Sequence, residues 1–221
     1  MNRAAITLMF LYLFSISARA EVITYDIKKM GAKIGQATLT DAGSVDFEGK
    51  KLVLITFKTK GWNFYDEEKI YLAPDTLRPV VVLRDFDLNM FGKGKIEERY
   101  LPDEGKIKVI KESDGKTTEQ ILEKSGGIEN IYGFIARYRK QGSFKIGDVL
   151  ELRLPTKDIK IKLIKNLRVF AAEKYFDGFY MESNPAGYKI WFDAGPKKLP
   201  LRIVGSTGMA STLMIMKEHK E

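Results

Sequence analysis

The chain has 221 residues, a formal net charge of +8 at neutral pH, no cysteine and a single histidine. That length suits one domain with a substantial core. Without cysteine, thiol catalysis, thiolate metal sites and disulfides are excluded. His219 stands near the chain end, where chains usually fray, which argues against a Ser-His-Asp triad and a His-based zinc site. We therefore expect no cofactor and no metal, although a carboxylate-only calcium or magnesium site stays open.

The first twenty residues have the features of a secretory signal peptide. Arg3 supplies a positive charge, residues 4–16 form an apolar run, and Ala18-Arg19-Ala20 has the small residues of a cleavage site. The alternative is a membrane anchor, which needs about 20 apolar residues and so more than this run offers. We expect cleavage after Ala20, leaving a single β-rich domain over residues 21–221 with no transmembrane segment.

Cleavage would remove two of the 37 basic residues and no acidic one, which leaves a net charge of +6. A basic exported protein meets anionic partners such as lipid head groups or acidic envelope polymers. The alternative is that the lysines, for example Lys160 and Lys162, only form the polar faces of strands. Nucleic acid is not an expected partner in that compartment.

Alternating apolar and polar residues predict strands through the first half of the mature chain. The predicted strands are residues 22–28, 34–40, 52–59, 67–73, 77–86, 96–101, 106–112 and 117–122. A polar loop is predicted at residues 41–50. Residues 52–55 and 80–83 are apolar on both faces, which predicts central strands that are covered on both sides.

One helix is predicted, at residues 128–138. Its apolar residues follow at separations of three and four, namely Ile128, Ile131, Tyr132, Ile135 and Tyr138. Basic residues at its end complement the helix dipole, and Gly142 is a stop signal.

Strands resume after the helix at residues 149–154, 159–164, 168–176, 179–183, 188–192, 201–204 and 210–216. Asp177-Gly178 predicts a tight hairpin, and residues 217–221 read as a charged tail. The whole pattern predicts an all-β, mainly antiparallel fold: one large curled sheet or open β-barrel with a single short helix.

Three segments carry a resemblance to a known family. They are a Trp191 strand followed by Leu-Pro-Leu-Arg-Ile at residues 199–203, Tyr25-Asp26-Ile27 followed by Gly31, Gly35 and Ala37, and residues 133–139 followed by Gly142 and Gly147-Asp148. In order and spacing they resemble bacterial domain-of-unknown-function family 3108. The resemblance implies an exported protein of the Gram-negative cell envelope, hence a periplasmic location, and no established activity.

Large apolar side chains in and beside loops suggest a ligand site, because such residues are not expected to be exposed without a reason. The candidate ligand-binding residues are Trp62, Phe64, Tyr65, Phe86, Met90, Phe91 and Lys93. A curled sheet can hold a ligand between its concave face and a helix, and nearby lysines would suit an amphiphile with an anionic head. The alternative is that these residues cap the ends of the core.

Carboxylates suggest a second kind of site. The acids are Asp66, Glu67, Glu68, Asp85, Asp87, Glu97 and Glu98. Asp85 and Asp87, two residues apart on one strand, lie about 7 Å apart, within the range that glycoside hydrolysis uses. Acids at this spacing also mark any solvent-facing strand, so the pattern alone selects no catalytic residue.

Three functional hypotheses follow. The first is a non-enzymatic periplasmic protein that binds a lipid or another hydrophobic or amphiphilic envelope component. The second is a structural protein that binds an envelope protein, and the third is a carboxylate-based hydrolase.

Overall fold

The computed structural model describes residues 20–89, 92–124, 127–207 and 210–221. In these ranges the chain forms fourteen strands and one α-helix. The elements are β1 (Glu21–Lys29), β2 (Ala32–Phe47), β3 (Lys50–Gly61), β4 (Tyr65–Leu72), β5 (Pro79–Asp87), β6 (Lys93–Leu101), β7 (Lys106–Ser113), β8 (Lys116–Glu123), α1 (Ile131–Gln141), β9 (Val149–Arg153), β10 (Asp158–Ala171), β11 (Lys174–Asn184), β12 (Lys189–Asp193), β13 (Pro200–Thr207) and β14 (Ala210–Lys220). All the strands join a single antiparallel sheet.

The sheet consists of two meanders that meet at the terminal strands. β1 to β8 follow one another on one side, and β14 back to β9 follow on the other. β1 pairs with β14 from Val22 opposite Lys220 to Lys28 opposite Leu213. The prediction of a charged tail at residues 217–221 is therefore wrong, because β14 continues to Lys220 as the hydrogen-bonded neighbour of β1.

β8 and β9 are the two edges, and the sheet does not close between them. The edges approach each other at the segment after β8, where Lys124 Nζ donates to the Leu154 carbonyl oxygen at 2.7 Å and to the Asp158 carboxylate at 2.6 Å. Ile128 forms an isolated parallel bridge with Arg153. For the described residues, the predicted all-β, mainly antiparallel curled sheet with one short helix is confirmed.

Helix α1 packs into the concave side of the sheet. The Tyr132 ring stacks on Phe57 of β3 with 3.7 Å between ring centres. Gly133 allows close contact with β4, because a Cβ atom there would lie 3.2 Å from the Leu72 side chain. Phe134 and Ile135 are fully buried in the same core. The helix therefore fills much of the space that the curled sheet encloses.

The helix begins three residues later than the sequence pattern predicts. Asn130 is the N-cap, and its side-chain oxygen accepts hydrogen bonds from the backbone N–H groups of Tyr132 and Gly133. Ile128, predicted as helical, instead bridges to β9. The predicted stop is confirmed, since Gly142 is the C-cap.

The polar loop predicted at residues 41–50 is wrong. β2 continues to Phe47 through a register shift between Asp41 and Gly43. The Gly43 backbone has a positive φ of 70°, and its N–H donates to Asp41 Oδ1 at 3.0 Å. A glycine bulge therefore lets a polar strand extend where sequence pattern alone indicates a loop.

The hairpin predicted at Asp177-Gly178 is also wrong. β10 and β11 connect through Ala172 and Glu173, whose φ angles are 43° and 60°. Gly178 lies inside β11, where a Cβ atom would come within 2.7 Å of the Phe192 carbonyl oxygen. This glycine is thus required by the close approach of β12 and not by a turn.

The strands predicted at residues 159–164 and 168–176 are largely one strand, β10. A register shift between Leu163 and Lys165 marks an irregularity that the strand passes through without ending. The predicted alternation of buried Ile159 and Ile161 with exposed lysines is confirmed.

A second apolar cluster covers the outer face of the central strands. Leu52, Tyr71 and Val81 are buried there. Phe47 stacks on Tyr71 with 3.9 Å between ring centres. The prediction that residues 52–55 and 80–83 are covered on both faces is therefore confirmed, because the core around helix α1 covers one face and this cluster the other.

Candidate binding site

The residues predicted as a ligand site are spread over both faces of the sheet. Tyr65 lies on the outer face, where its hydroxyl donates to Glu67 at 3.2 Å and Lys58 Nζ sits 5.3 Å from its ring centre. Phe86 lies on the inner face, with the Arg84 guanidinium 5.5 Å from its ring centre. These two members of the predicted site therefore do not face the same surface.

The other members are placed at the ends of strands. Trp62 in the β3–β4 turn is fully exposed, at 102%, whereas Phe64 packs against the core. Lys93 is exposed at the start of β6. Met90 and Phe91 lie outside the described residues. A ligand-binding role for this group stays a prediction.

The predicted acids separate by the alternation of their strands. Asp66, Glu68 and Glu98 point to the inner face, in step with buried Ile70 on β4 and Tyr100 on β6. The others, Glu67, Asp85, Asp87 and Glu97, point outward. The pair that the spacing argument selected, Asp85 and Asp87, is exposed.

Two of the inner acids, Glu68 and Glu98, line a cavity of about 220 Å³. It lies between strands β4 to β6, the start of helix α1 and the β9–β10 turn. Its polar lining is Glu68, Arg84, Glu98, Glu129, Asn130, Thr156, Lys157 and Tyr188, and its apolar lining is Val82, Ile96, Ile131, Leu154 and Pro155. The cavity is smaller than the roughly 300–1,000 Å³ typical of drug-sized ligands, so it suits a small group.

Arg84 is engaged by an acid beside the cavity. Its Nε and Nη2 donate to the two carboxylate oxygens of Asp66 at 2.8 and 2.6 Å. Glu68, opposite Arg84 in the β4–β5 ladder, lies 3.8 Å from the same guanidinium. Asp66 therefore makes the two-point pair with this guanidinium, and Glu68 has only the longer electrostatic contact.

Glu68 has an unusual protonation equilibrium. Burial raises its pKa, and the negative charges of Asp66 and Glu98 raise it further, against the opposing effects of Arg84 and of a hydrogen bond from Asn130 Nδ2. The net effect raises the pKa of Glu68 to about 7. At neutral pH this carboxyl group therefore exchanges readily between its neutral and its charged form.

Two more glutamates face the same space. Burial raises the pKa of Glu98, whose carboxylate accepts a hydrogen bond from the Tyr100 hydroxyl at 2.6 Å. Burial also raises the pKa of Glu129, which is only 3% exposed and accepts from Arg137 Nη2 at 2.7 Å through Oε1. The second oxygen of Glu129, Oε2, is buried and has no hydrogen-bond partner in the part of the chain that is described.

An unpaired buried acceptor is uncommon in folded proteins and calls for a partner. Glu129, whose Oε2 is unpaired among the described residues, and Glu68, which has a hydrogen bond from Asn130 and only a longer contact with Arg84, both line the cavity. Of the nearby guanidinium groups, Arg84 is already bound by Asp66, and Arg137 is bound to Glu129 through the other oxygen, Oε1. The site is therefore best matched by a group that donates several hydrogen bonds or carries positive charge.

Two of the eight polar residues that line this site could be found from the sequence. Glu68 and Glu98 were among the predicted acids. Strand alternation distinguishes them from the other acids, because each lies on the same face of its strand as apolar residues of the core. Glu129, Lys157 and Tyr188 were missed, because they reach the cavity from segments that are distant in sequence.

His219 does not belong to a frayed end. It lies in β14, and its Nε2 is 2.9 Å from Glu21 Oε1. Glu21, His219 and Glu221 lie close enough to hold a metal ion. Glu21, however, is already bound by two donors of Arg139, at 2.9 and 2.8 Å. Burial favours a higher pKa for Glu21, but Arg139 and His219 outweigh it and lower the pKa. The cluster is accounted for as an ion-pair network.

No protein-family model matches the chain, so the resemblance to family 3108 is not confirmed. No curated protein matches it. Among solved structures it is similar to a β-barrel-like protein of domain of unknown function DUF1849 from Brucella abortus, with a TM-score of 0.54 and 10% identity, over 91% of this chain and 97% of that one. This likeness shows the fold alone. In the described ranges, no helix has the length and apolar character to cross a membrane.

Proposed function

We propose that this is an exported periplasmic protein that binds an amphiphilic cell-envelope component without chemical turnover, and that the acid-lined cavity holds an amine-bearing head group. The observation that carries the proposal is one cavity lined by Glu68, Glu98 and Glu129, in which Glu129 Oε2 has no hydrogen-bond partner within the described part of the chain. A protonated amine supplies three donors and one positive charge, which complements the carboxyl groups of these three glutamates.

The size of the cavity supports a head group as the part that enters. A volume of about 220 Å³ is too small for a long acyl chain, and helix α1 fills the neighbouring core. Lys157, exposed at the cavity and 4.8 Å from the Tyr188 ring centre, would suit an anionic group next to the amine. A zwitterionic head group fits both features, because its ammonium group can bind the glutamates inside the cavity and its phosphate can bind Lys157 at the mouth.

The export half of the proposal rests on the N-terminal signal and on the resemblance to family 3108. The fold is compatible with it, since β1 begins at Glu21, directly after the predicted cleavage site. Cleavage there would thus leave the fourteen described strands whole.

One observation favours the carboxylate-based hydrolase as a second candidate. A glutamic acid with a pKa of about 7, here Glu68, has the property of a general acid. Such catalysis also needs a second, ionised carboxylate, but Asp66 is held by Arg84 and burial raises the pKa of Glu98. The arrangement therefore favours binding over turnover.

The proposal is tested by isothermal titration calorimetry of the mature protein at pH 8. The probes are phosphoethanolamine and glycerol 3-phosphate, which share the phosphate and differ in the amine. We expect binding of the amine probe and a weakening of at least about tenfold in Glu68→Gln and in Glu129→Gln, in line with loss of a charge-assisted hydrogen bond.

Glu129→Gln is informative because glutamine can still accept from Arg137 while replacing the free acceptor by a donor. Glu123→Gln, at an exposed position of β8, is the matched control and should bind like the wild type. Equal affinity for both probes, or hydrolysis of a glycoside substrate that Glu68→Gln abolishes, would contradict the proposal.

A further inference from the structure

One end of the sheet carries two exposed apolar side chains on neighbouring hairpin turns. β2 pairs with β3, with Gly35 opposite Gly61, so the β1–β2 and β3–β4 turns project from the sheet side by side. Met30 in the first turn is 98% exposed and Trp62 in the second is 102% exposed. Their exposure shows that neither side chain supports the fold.

The Trp62 turn is built as an ordered structure. The Gly61 N–H donates to the Phe64 carbonyl oxygen at 2.9 Å and closes the turn. The Phe64 ring lies against Gly35 and Gly61 so closely that a Cβ atom on Gly61 would overlap it. Phe64 thus braces the hairpin ends, while Trp62 is held away from the protein.

The same two turns are strongly basic. Residues 27–35 and 59–64 contain Lys28, Lys29, Lys33 and Lys60, and no acidic residue. Lys33 pairs with Asp26 at 2.7 Å. Lys29 and Lys60 are exposed, and no ion pair of either is found within the described residues. Exposed tryptophan beside unpaired lysines is the composition that favours a membrane–water interface.

We propose that these two hairpin turns dock on an anionic lipid surface, with Trp62 and Met30 entering the head-group region and the lysines contacting lipid phosphates. A protein partner is less well matched, because a stable protein interface buries about 800 Å² per partner, far more than two side chains offer.

The cavity opens at the β9–β10 turn. In an antiparallel sheet every second turn lies at the same end of the strands, so the β9–β10 turn lies at the same end as the β1–β2 and β3–β4 turns. Docking would therefore present the cavity towards the lipid head groups.

The test is co-sedimentation of the mature protein with phosphatidylglycerol/phosphatidylcholine vesicles and with phosphatidylcholine vesicles. We expect binding to the anionic vesicles alone, weakened by salt. Lys29→Gln with Lys60→Gln should lower the vesicle affinity by roughly fivefold per lysine, and Trp62→Ala should lower it at least as much. Ile121→Ala, at an exposed residue of β8, is the control and should leave it unchanged.

Fluorescence identifies the contacting residue, because the chain has only two tryptophans. Brominated anionic lipids should quench the fluorescence of Trp191→Phe, in which only Trp62 emits. They should leave the fluorescence of Trp62→Phe, in which only Trp191 emits, unchanged. Equal binding to both vesicle types, or wild-type binding by Trp62→Ala, would overturn the inference. The amine-probe titration of Trp62→Ala should match the wild type, so failure of lipid docking remains distinguishable from failure of the cavity proposal.

Discussion

Arg84 and Asp66 form a two-point ion pair on the inner face of the sheet, at 2.8 and 2.6 Å. They lie on neighbouring strands, and Glu68 lies directly opposite Arg84 in the ladder. Burial, with the negative charges of Asp66 and Glu98, raises the pKa of Glu68 against the opposing effects of Arg84 and Asn130. Because Asp66 makes the two-point pair, Glu68 has only a 3.8 Å contact with the same guanidinium.

Removing Arg84 should destabilise the protein. In Arg84→Ala the Asp66 carboxylate, whose side chain is only 13% exposed, loses both donors, so we expect a loss of about 2–4 kcal/mol in the free energy of unfolding. Urea denaturation of the two proteins measures it. Lys160→Ala is the control, since its pair with Glu151 is exposed on both sides and should contribute under about 1 kcal/mol. Equal effects of the two substitutions would show that the Arg84–Asp66 pair is not a buried interaction.

Glu68→Gln should make the protein more stable at pH 8 and no more stable at pH 4.5. The folded-state pKa of Glu68, about 7, lies above the ordinary value of 4.5. The folded state therefore binds the proton more tightly, and stability falls as pH rises from about 4.5 to about 7. Glutamine does not titrate, so the variant should gain about 1–3 kcal/mol at pH 8.

Urea titrations of wild type and Glu68→Gln across this pH range provide the comparison. A stability difference that does not change between pH 4.5 and pH 8 would mean that the Glu68 pKa is not raised in the folded protein.

Amine binding should strengthen as pH rises from 6 to 8. Glu68 becomes charged over this interval, while a primary amine stays protonated, so the attraction between them grows. Phosphoethanolamine affinity, measured by calorimetry at several pH values in buffers of equal ionic strength, should increase in the wild type. The Glu68→Gln variant should show little of this increase, and a parallel increase in both proteins would assign the effect to another group.

Gly178→Ala should destabilise the sheet by about 1–3 kcal/mol. The new Cβ atom would lie 2.7 Å from the Phe192 carbonyl oxygen, so β11 or β12 must shift. Gly187→Ala is the matched control, since a Cβ there meets only the end of the Lys157 side chain at 3.6 Å. Thermal unfolding, monitored by circular dichroism, compares the stabilities of the two variants. A tolerated Gly178→Ala would mean that the strands are not so close at this point.

Much of the fold could be predicted from local patterns. Strands with clean alternation, such as the Ile159 and Ile161 region, were found because one face is buried and the other is solvated. The end of β2 was missed because its polar residues and Gly43 resemble a loop, and only pairing with β3 makes them a strand. Gly178 was taken for a turn residue because sequence does not show that another strand passes close by.

The candidate site was harder to predict, for a related reason. Glu67 and Glu68 look equivalent in the sequence, yet strand alternation puts them on opposite faces, and the packing of helix α1 decides which face is buried. The position of Glu129 depends on the pairing of the segment before the helix with β9, where the Glu129 N–H donates to the Arg153 carbonyl oxygen at 2.7 Å. Such a position is set by tertiary packing and leaves no local pattern.

The most direct measurement of the central claim is mass spectrometry of an organic extract of the mature protein, purified gently from the native periplasm. It should be made on the wild type and on Glu68→Gln/Glu129→Gln. We expect an amine-bearing amphiphile near one per protein in the wild type and its loss from the double variant. An empty wild-type extract, or equal amounts of the same lipid in both proteins, would contradict the claim that the cavity binds an amphiphile through its acids.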